Sequence, residues 1–402
     1  MDEADFRFEY DPGVIRHGRG CVADLESELA RQGYDRGLVV TGRTVGTTPA
    51  VIDPVKDGLG DSIAGIFAET TPDKRLDTAV AGAERVAETD ADAIVALGGG
   101  SSLDVAKAIS AVAASEADPE TMAEQFESTG LLPVPDGDLP PIFAVPTTLA
   151  GADNSILGGL SATPKSGLVS DVVGGAVMSP RLMPAALFYD ANLVETTPRH
   201  ILAASAMNGF DKGIETLYAA NATPVTDATA MRGTRLLWDA LPTLSDEPDS
   251  WDTDDILQGI VLVQYGISRP DGMTLSLIHA FGHALTAHSD VQQGAAHAVV
   301  APHALAYLFE EVDGRRELLA EAFDIDTDSL SRSDVADAIV EEVETVRDAL
   351  DLPSQLRSIE ALSRDQLTAI AESTIEDSLL PNCPPELDPT VEEIETVLEG
   401  AW

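Results

Sequence analysis

The chain has 402 residues, 44% of them hydrophobic, and a formal net charge of −45 from 69 acidic against 24 basic side chains. Length and apolar content suffice for two or three domains with sizeable cores. A surface this acidic repels phosphate backbones and anionic lipid, which argues against nucleic acid or membrane as a partner.

The acidic residues are spread through the chain rather than gathered in a tail, so the charge reads as an adaptation to a high-salt cytoplasm, where salt screens self-repulsion. No basic leader with an apolar core opens the chain, and no apolar run approaches the ~20 residues needed to span a bilayer, so a cytoplasmic location is expected. Cys21 and Cys383 are far apart and lack metal-ligand spacing, which argues against a disulfide framework or zinc knuckle. Only five lysines occur, at positions 56, 74, 107, 165 and 212. Where lysine is so scarce, those retained are candidates for a task.

In chain order, Phe6 to Gly20 alternates and then turns, which predicts an edge strand or hairpin. Val22 to Gln32 has helical spacing, and Gly37 to Thr41 is a short apolar strand ending at Gly42. The carboxyl end of such a strand faces the ligand crevice of an open α/β sheet. Its tip here is Thr41, Gly42, Arg43, with a guanidinium and no carboxylate. For a nicotinamide cofactor that favours NADP over NAD; a plain strand-to-loop turn is the alternative.

Thr78 to Glu88 predicts a helix and Ala93 to Leu97 a strand, followed by GGGSSLDVAKAISAVA from Gly98 to Ala113. Gly98, Gly99 and Gly100 permit a tight turn with successive N–H groups aimed at one spot, and Ser101 and Ser102 stand where a helix N-cap belongs. A glycine nest before a helix N-terminus suits pyrophosphate, because unpaired N–H groups and the helix dipole both favour anions. Asp104 and Lys107 lie on the first turns of that helix.

Ser128 to Pro141 reads as a Pro- and Gly-rich loop, and Ile142 to Val145 as a buried strand. It ends in PTTLAGADNS, where Thr147, Thr148 and Leu149 again suit a ligand at a strand's carboxyl end. Lys165 falls on a turn within Ser161 to Leu168, and Leu187 to Asp190 predicts the last strand of this half. From about Thr197 long helices with acidic outer faces begin, which sets the expected domains at 1–196 and 197–402.

Within the second half, SAMNGFDKGIETLYA places Asn208, Lys212 and Glu215 on one helical stripe. LIHAFGHALTAHSDVQQG places His279 and His283 on one face. Two imidazoles so placed can hold a metal, relay a proton or fill a polar gap in a core. His297 and His303 read as core or interface residues, and His288 is undecided. The closing TVEEIETVLEGAW predicts an amphipathic helix.

Together these motifs resemble the iron-containing (group III) alcohol dehydrogenases of the dehydroquinate-synthase-like superfamily. GGGSSLDVAKA is similar to that family's pyrophosphate loop, PTTLAGADNS to its second nucleotide loop, and IHAFGHALTAHSDVQQGAAHAVVAPHALAY to its histidine helix. The resemblance implies an α/β nucleotide-binding domain with a parallel, Rossmann-like sheet, an all-α C-terminal domain, and an active site in the cleft between them. It also implies an NAD(P)-dependent oxidoreductase, commonly oligomeric, acting on a small aldehyde, ketone or keto acid. Cofactor contacts are implied at Gly42, Gly98, Gly99, Gly100, Ser101, Asp104, Thr147, Thr148, Leu149 and Lys165.

In that family a divalent metal is held by an Asp and a His four apart, a second His, and a third His fourteen residues further on. The matching positions here are Asn208, Lys212, His279 and Gln293. Amide carbonyls are weak ligands for iron or zinc and an ammonium repels a cation, so no catalytic metal is expected. Loss of the metal also resembles the maleylacetate reductase branch, whose AGSE loop is similar to AGAD at Ala150 to Asp153. That branch keeps histidines where Lys212 and Gln293 stand, which leaves maleylacetate itself in doubt.

Hydride transfer to a carbonyl builds negative charge on oxygen that a cation or proton donor must meet. Lys212 is the candidate for the charge, His279 or His283 for the proton, and Asn208, Gln293 and Asp153 for orienting substrate. Three rivals stay open: a superfamily lyase, a metal-dependent dehydrogenase with a rearranged site, and a catalytically silent nucleotide-binding member.

Overall fold

The computed structural model describes residues 6–360 and 362–402, so the first five residues of the expected nucleotide domain lie outside the described residues. The chain forms two compact units, one of Tyr10–Thr197 and one of Pro198–Trp402 joined by residues 6–9. Residues 6–9 therefore correct the expected boundary. Phe8 lies under the Arg269 guanidinium and beside Gly266, and Arg7 pairs with Asp271. These contacts tie the N-terminal segment to the helical unit.

The α/β unit runs β1 (Val14–His17), α1 (Leu25–Arg31), β2 (Gly37–Gly42), α2 (Arg43–Thr47), α3 (Pro49–Leu59), β3 (Ile63–Thr70) and α4 (Leu76–Glu88). It continues β4 (Ala93–Gly98), α5 (Gly100–Ala113), α6 (Pro119–Thr129), β5 (Leu131–Leu132), β6 (Ile142–Pro146), β7 (Leu157–Ala162), β8 (Val173–Met178), β9 (Ala186–Tyr189) and α7 (Ala191–Val194). Six strands make one parallel sheet in the order β1-β9-β6-β4-β2-β3. AIVALG of β4 and IFAVP of β6 are buried at every position, as unbroken apolar runs require when both faces of a parallel sheet are covered.

β1 is the sheet edge that the alternation of its segment predicts. The segment expected as loop from Ser128 instead finishes α6 and then supplies β5, which pairs with β8. Its backbone groups meet a small second sheet, β5-β8-β7, that the Pro and Gly content concealed.

After β3 the chain returns to the other side of β2 to lay down β4, so the strand order reverses at this pair. Ligands in open α/β sheets bind outside the carboxyl ends of strands at such a reversal. Gly42, Gly98 and Pro146 end three adjacent strands there.

The helical unit contains α8 (Arg199–Tyr218), α9 (Pro224–Ala240), α10 (Thr253–Gln264), β10 (Ser268–Arg269), β11 (Gly272–Met273), α11 (Leu277–His288), α12 (Gln293–Glu311), α13 (Arg316–Ala322), α14 (Arg332–Ala349), α15 (Leu367–Ile375) and α16 (Val391–Gly400). α8 is its axis, buried on every side from Ala206 to Tyr218. A helix enclosed all round with Asn, Asp, Lys and Glu in its sequence must find partners for them inside the unit. Among the described residues no helix is long and apolar enough to cross a membrane.

Candidate active site

In the α/β unit the site is made chiefly of backbone. α5 begins at Gly100 with Gly99 as its N-cap, two positions before the first of the serines expected to cap it. Ser102 instead bonds Thr70 at 2.8 Å, both hydroxyls buried. Gly98 has φ of 133°, a conformation that L side chains rarely adopt. A Cβ on Gly99 would stand 3.0 Å from the Thr148 methyl, so the two loops touch. Thr147 N–H donates to the Gly98 carbonyl at 3.0 Å, which fixes the second loop beside the first. The N–H groups of Gly100 and Ser101, in the first turn of α5, have no helical acceptor and point outward, as an anion site requires.

Several side chains around this nest are engaged inside the unit. The Asp104 carboxylate, 7% exposed, pairs with Lys74 at 2.7 Å. Lys107 is fully buried and donates to the carbonyls of Ala152 at 2.9 Å and Leu157 at 2.8 Å. Burial lowers its proton affinity to about 8, while Asp104 and Asp153 act the other way. Asp153, expected against substrate, is buried and accepts the Tyr189 hydroxyl. These groups hold the second loop from behind. Lys165 is exposed on the turn between β7 and β8, and Arg43 is exposed at the start of α2.

In the helical unit the site is built from side chains on α8, α11 and α12. Two glycines let these helices meet. A Cβ on Gly294 would fall 1.6 Å from the Ala204 carbonyl oxygen and 3.3 Å from the Asn208 nitrogen. One on Gly282 would fall 2.1 Å from His297 Nε2 and 3.4 Å from Gln293 Cγ. The start of α12, with Gln293, is thereby set against Asn208 on α8 and against α11. Lys212, 9% exposed, lies one turn after Asn208.

Glu215 organises the start of α11. Its Oε1 accepts the N–H groups of Ile278 at 2.7 Å and His279 at 3.1 Å, a carboxylate where the helix dipole favours one. Its Oε2 holds His279 Nδ1, leaving buried Nε2 without a hydrogen-bond partner. Burial pushes His279 well below its ordinary proton affinity, and His297, Lys212 and His283 push the same way. Burial raises Glu215 to about 7, against the N–H groups that favour its charge.

His297, read from sequence as core or interface, is core, yet it faces the site. Its ring meets that of His279 edge-on at 4.5 Å between centroids. Its Nδ1 lies 3.2 Å from Asp211 Oδ2, out of line for a hydrogen bond, and both groups are fully buried. Burial lowers His297 to about 3 and raises Asp211 well above the usual carboxylate range. Asp211 and His297 were not among the sequence candidates, because neither falls on the stripe of the residues that point to chemistry. Asp377 was missed too: it bonds His283 from 94 residues away. His288 bonds Ser373, and His303 is half-buried on α12.

Residues 12–191 match the family described as iron-containing alcohol dehydrogenase, and residues 202–402 match its C-terminal domain. The chain is 26% identical to lactaldehyde reductase of Escherichia coli (strain K12), over 96% of this chain and 97% of that protein. It is 26% identical to maleylacetate reductase 1 of Cupriavidus pinatubonensis, over 80% and 82%. A solved sulfoacetaldehyde reductase of Bifidobacterium kashiwanohense, in complex with NAD+, superposes with a TM-score of 0.82 at 19% identity, over 99% of each chain.

Proposed function

The chain belongs to the iron-containing alcohol dehydrogenase family, a family of oxidoreductases, and from that premise we propose a metal-independent carbonyl reductase with Lys212 in the metal's place. Its substrate is a small aldehyde, ketone or keto acid. The observation that carries the reading is Lys212, buried one turn from Asn208 on the helix whose Glu215 already holds His279.

The donor set does not fit a transition metal. Of the four positions where relatives bear ligands, His279 alone is an imidazole, with one ring nitrogen taken by Glu215. Among the described residues no three His, Cys, Asp or Glu side chains are grouped to hold a metal ion. A nicotinamide dinucleotide, by contrast, fits the α/β unit. Gly98 to Ser101 would take its pyrophosphate, with Gly42, Thr147, Thr148 and Leu149 at adjacent strand ends; Lys165 would reach from its turn. The absence of a carboxylate at Gly42 and the presence of Arg43 favour NADP. The solved relative's complex with NAD+ supports the cofactor class.

When bound, that cofactor supplies or accepts the hydride. Lys212 meets the charge that develops on the carbonyl oxygen, in a buried setting where such charge stabilisation is large. His283 or His279 delivers the proton. Asn208, whose buried Oδ1 has no hydrogen-bond partner, and Gln293 orient the substrate. The acidic surface belongs to a protein that works in high salt.

The test is NADPH and NADH consumption over a panel of aldehydes and keto acids in molar salt, with elemental analysis of the same sample. Turnover without stoichiometric iron or zinc is expected, and Lys212→Met should lower kcat/KM by about 10²- to 10³-fold. Tightly held iron or zinc, whose removal abolishes and whose return restores activity, would overturn it. Absence of turnover across the panel would favour a silent nucleotide-binding member.

A further inference from the structure

His283 is the exposed end of the buried cluster, with 47% of its side chain open to solvent. An exposed imidazole left to itself rotates and exchanges its proton between two ring nitrogens. Here one nitrogen is fixed. His283 Nδ1 lies 2.9 Å from Asp377 Oδ2, and the second oxygen, Oδ1, accepts the Leu379 N–H at 2.8 Å. Both carboxylate oxygens are thus committed.

The segment carrying Asp377 is itself tied down. Asp377 N–H donates to Thr374 O at the end of α15, and Leu380 N–H donates to Asp377 O. Asn382 Nδ2 donates to Leu275 O just before α11, and Ala220 N–H donates to Asn382 O just after α8. α15 and the turn before it also grip α11 a turn beyond His283: Ser373 bonds His288 at 3.1 Å and Gln366 donates to the His288 carbonyl. Burial raises Asp377, but the His283 hydrogen bond and charge more than offset it and hold the carboxyl below its usual range. The ionised group can only accept, so the ring proton sits on Nδ1.

We propose that Asp377 is a positioning residue for His283: it holds the proton on Nδ1 and turns Nε2 to the reaction, so that Nε2 exchanges the proton with substrate and solvent. The inference rests on the reading above in which His283 delivers that proton. Beside His283 stand His279 on its own helix, with ring centroids 6.5 Å apart, and His297 from α12. Neither is an anion, and Asp377 is the carboxylate in direct contact with His283.

The test combines imidazole ¹⁵N NMR of the wild-type chain with kinetics of Asp377→Asn and Asp377→Ala. In wild type the His283 Nδ1 is expected to be protonated and Nε2 bare at a pH above its titration; Asp377→Ala should mix the two tautomers. Asp377→Asn should lower kcat about tenfold with KM within threefold, and move the alkaline limb of kcat for carbonyl reduction about one pH unit lower. Ser373→Ala, which loosens the same helix without touching His283, should stay within twofold of wild-type kcat. A wild-type spectrum with the proton on Nε2, or one unchanged by Asp377→Ala, would overturn the proposal, and the wild-type spectrum decides even if a variant fails to fold. Mixed tautomers with kcat unchanged would leave the positioning role standing and sink the proton-delivery role of His283 instead.

Discussion

In the α/β unit the proposed cofactor-binding groups are backbone N–H donors at Gly98 to Ser101, while the charged side chains behind them pair with one another or with loop carbonyls. In the helical unit the backbone is spent inside α8, α11 and α12, and the proposed substrate-binding groups are side chains, several of them buried without complete hydrogen-bonding. The first arrangement tolerates change because a nest needs only small residues in the right conformation. The second depends on three helices meeting at van der Waals distance, and on each buried ionisable group keeping the neighbour that sets its proton affinity.

That contrast breaks first at the glycines. Gly294→Ala drives a methyl into the Ala204 carbonyl, so the helices must separate; a loss of stability of about 3 kcal/mol or more is expected, measured by denaturant unfolding in molar salt. Gly100→Ala meets only the Ala152 Cβ at 3.4 Å and should cost under about 1 kcal/mol, its effect appearing in cofactor affinity instead. Equal costs at the two sites would remove the distinction.

Lys107→Met asks whether the nest is as independent of buried charge as its surface suggests. The carbonyls of Ala152 and Leu157 would lose their donor, at a cost of about 1–3 kcal/mol. NADPH binding, followed by fluorescence titration, should weaken because the second loop loosens. Unchanged affinity would make Lys107 purely structural.

Acid should unfold the helical unit through its histidines. His297 is held at about 3 in the folded chain against 6.5 when unfolded, so below 6.5 the unfolded chain takes up a proton that the folded one refuses. Its contribution to stability is therefore complete above pH 6.5 and falls by about 1.4 kcal/mol per pH unit between 6.5 and 3. Glu215, raised to about 7 from 4.5, and Asp211, raised well above the usual carboxylate range, work in the opposite sense and flatten the slope. His297→Asn should reduce the loss of stability measured between pH 6 and 4. The smallest effect is expected at the rim of the nest, where Arg43→Glu should shift preference from NADPH towards NADH by about tenfold, on the order of 1.4 kcal/mol, read as the ratio of Kd values.

Much of the α/β unit was legible because its signals are local. A strand buried on both faces is a continuous apolar run, and a glycine triplet between strand and helix has few uses. Thus β2, β4, β6 and the start of α5 fall within a residue or two of the sequence reading. The serine N-cap was misplaced because either serine could cap by propensity; only the approach of Thr70 assigns Ser102 to the sheet. In the helical unit the stripe of Asn208, Lys212 and Glu215 and the pair His279 and His283 were visible from helical spacing. Their partners were not. Asp211 lies off the stripe, His297 reads as a core or interface residue, and Asp377 lies on another element.

The sequence by itself determined most of the helices and strands, the change to long helices near Thr197, the glycine turn before α5 and the presence of an amine and two amides at positions 212, 208 and 293. These follow from periodicity and residue chemistry within short windows, where each residue's neighbours are known in advance. Only the tertiary structure decided which carboxylate serves which imidazole, that Asp104 answers to Lys74, and that two glycines bring α8, α11 and α12 together around Lys212. Hydrogen bonds and proton affinities depend on distances of a few ångströms between segments far apart in the chain, and such distances exist only once the helices have packed.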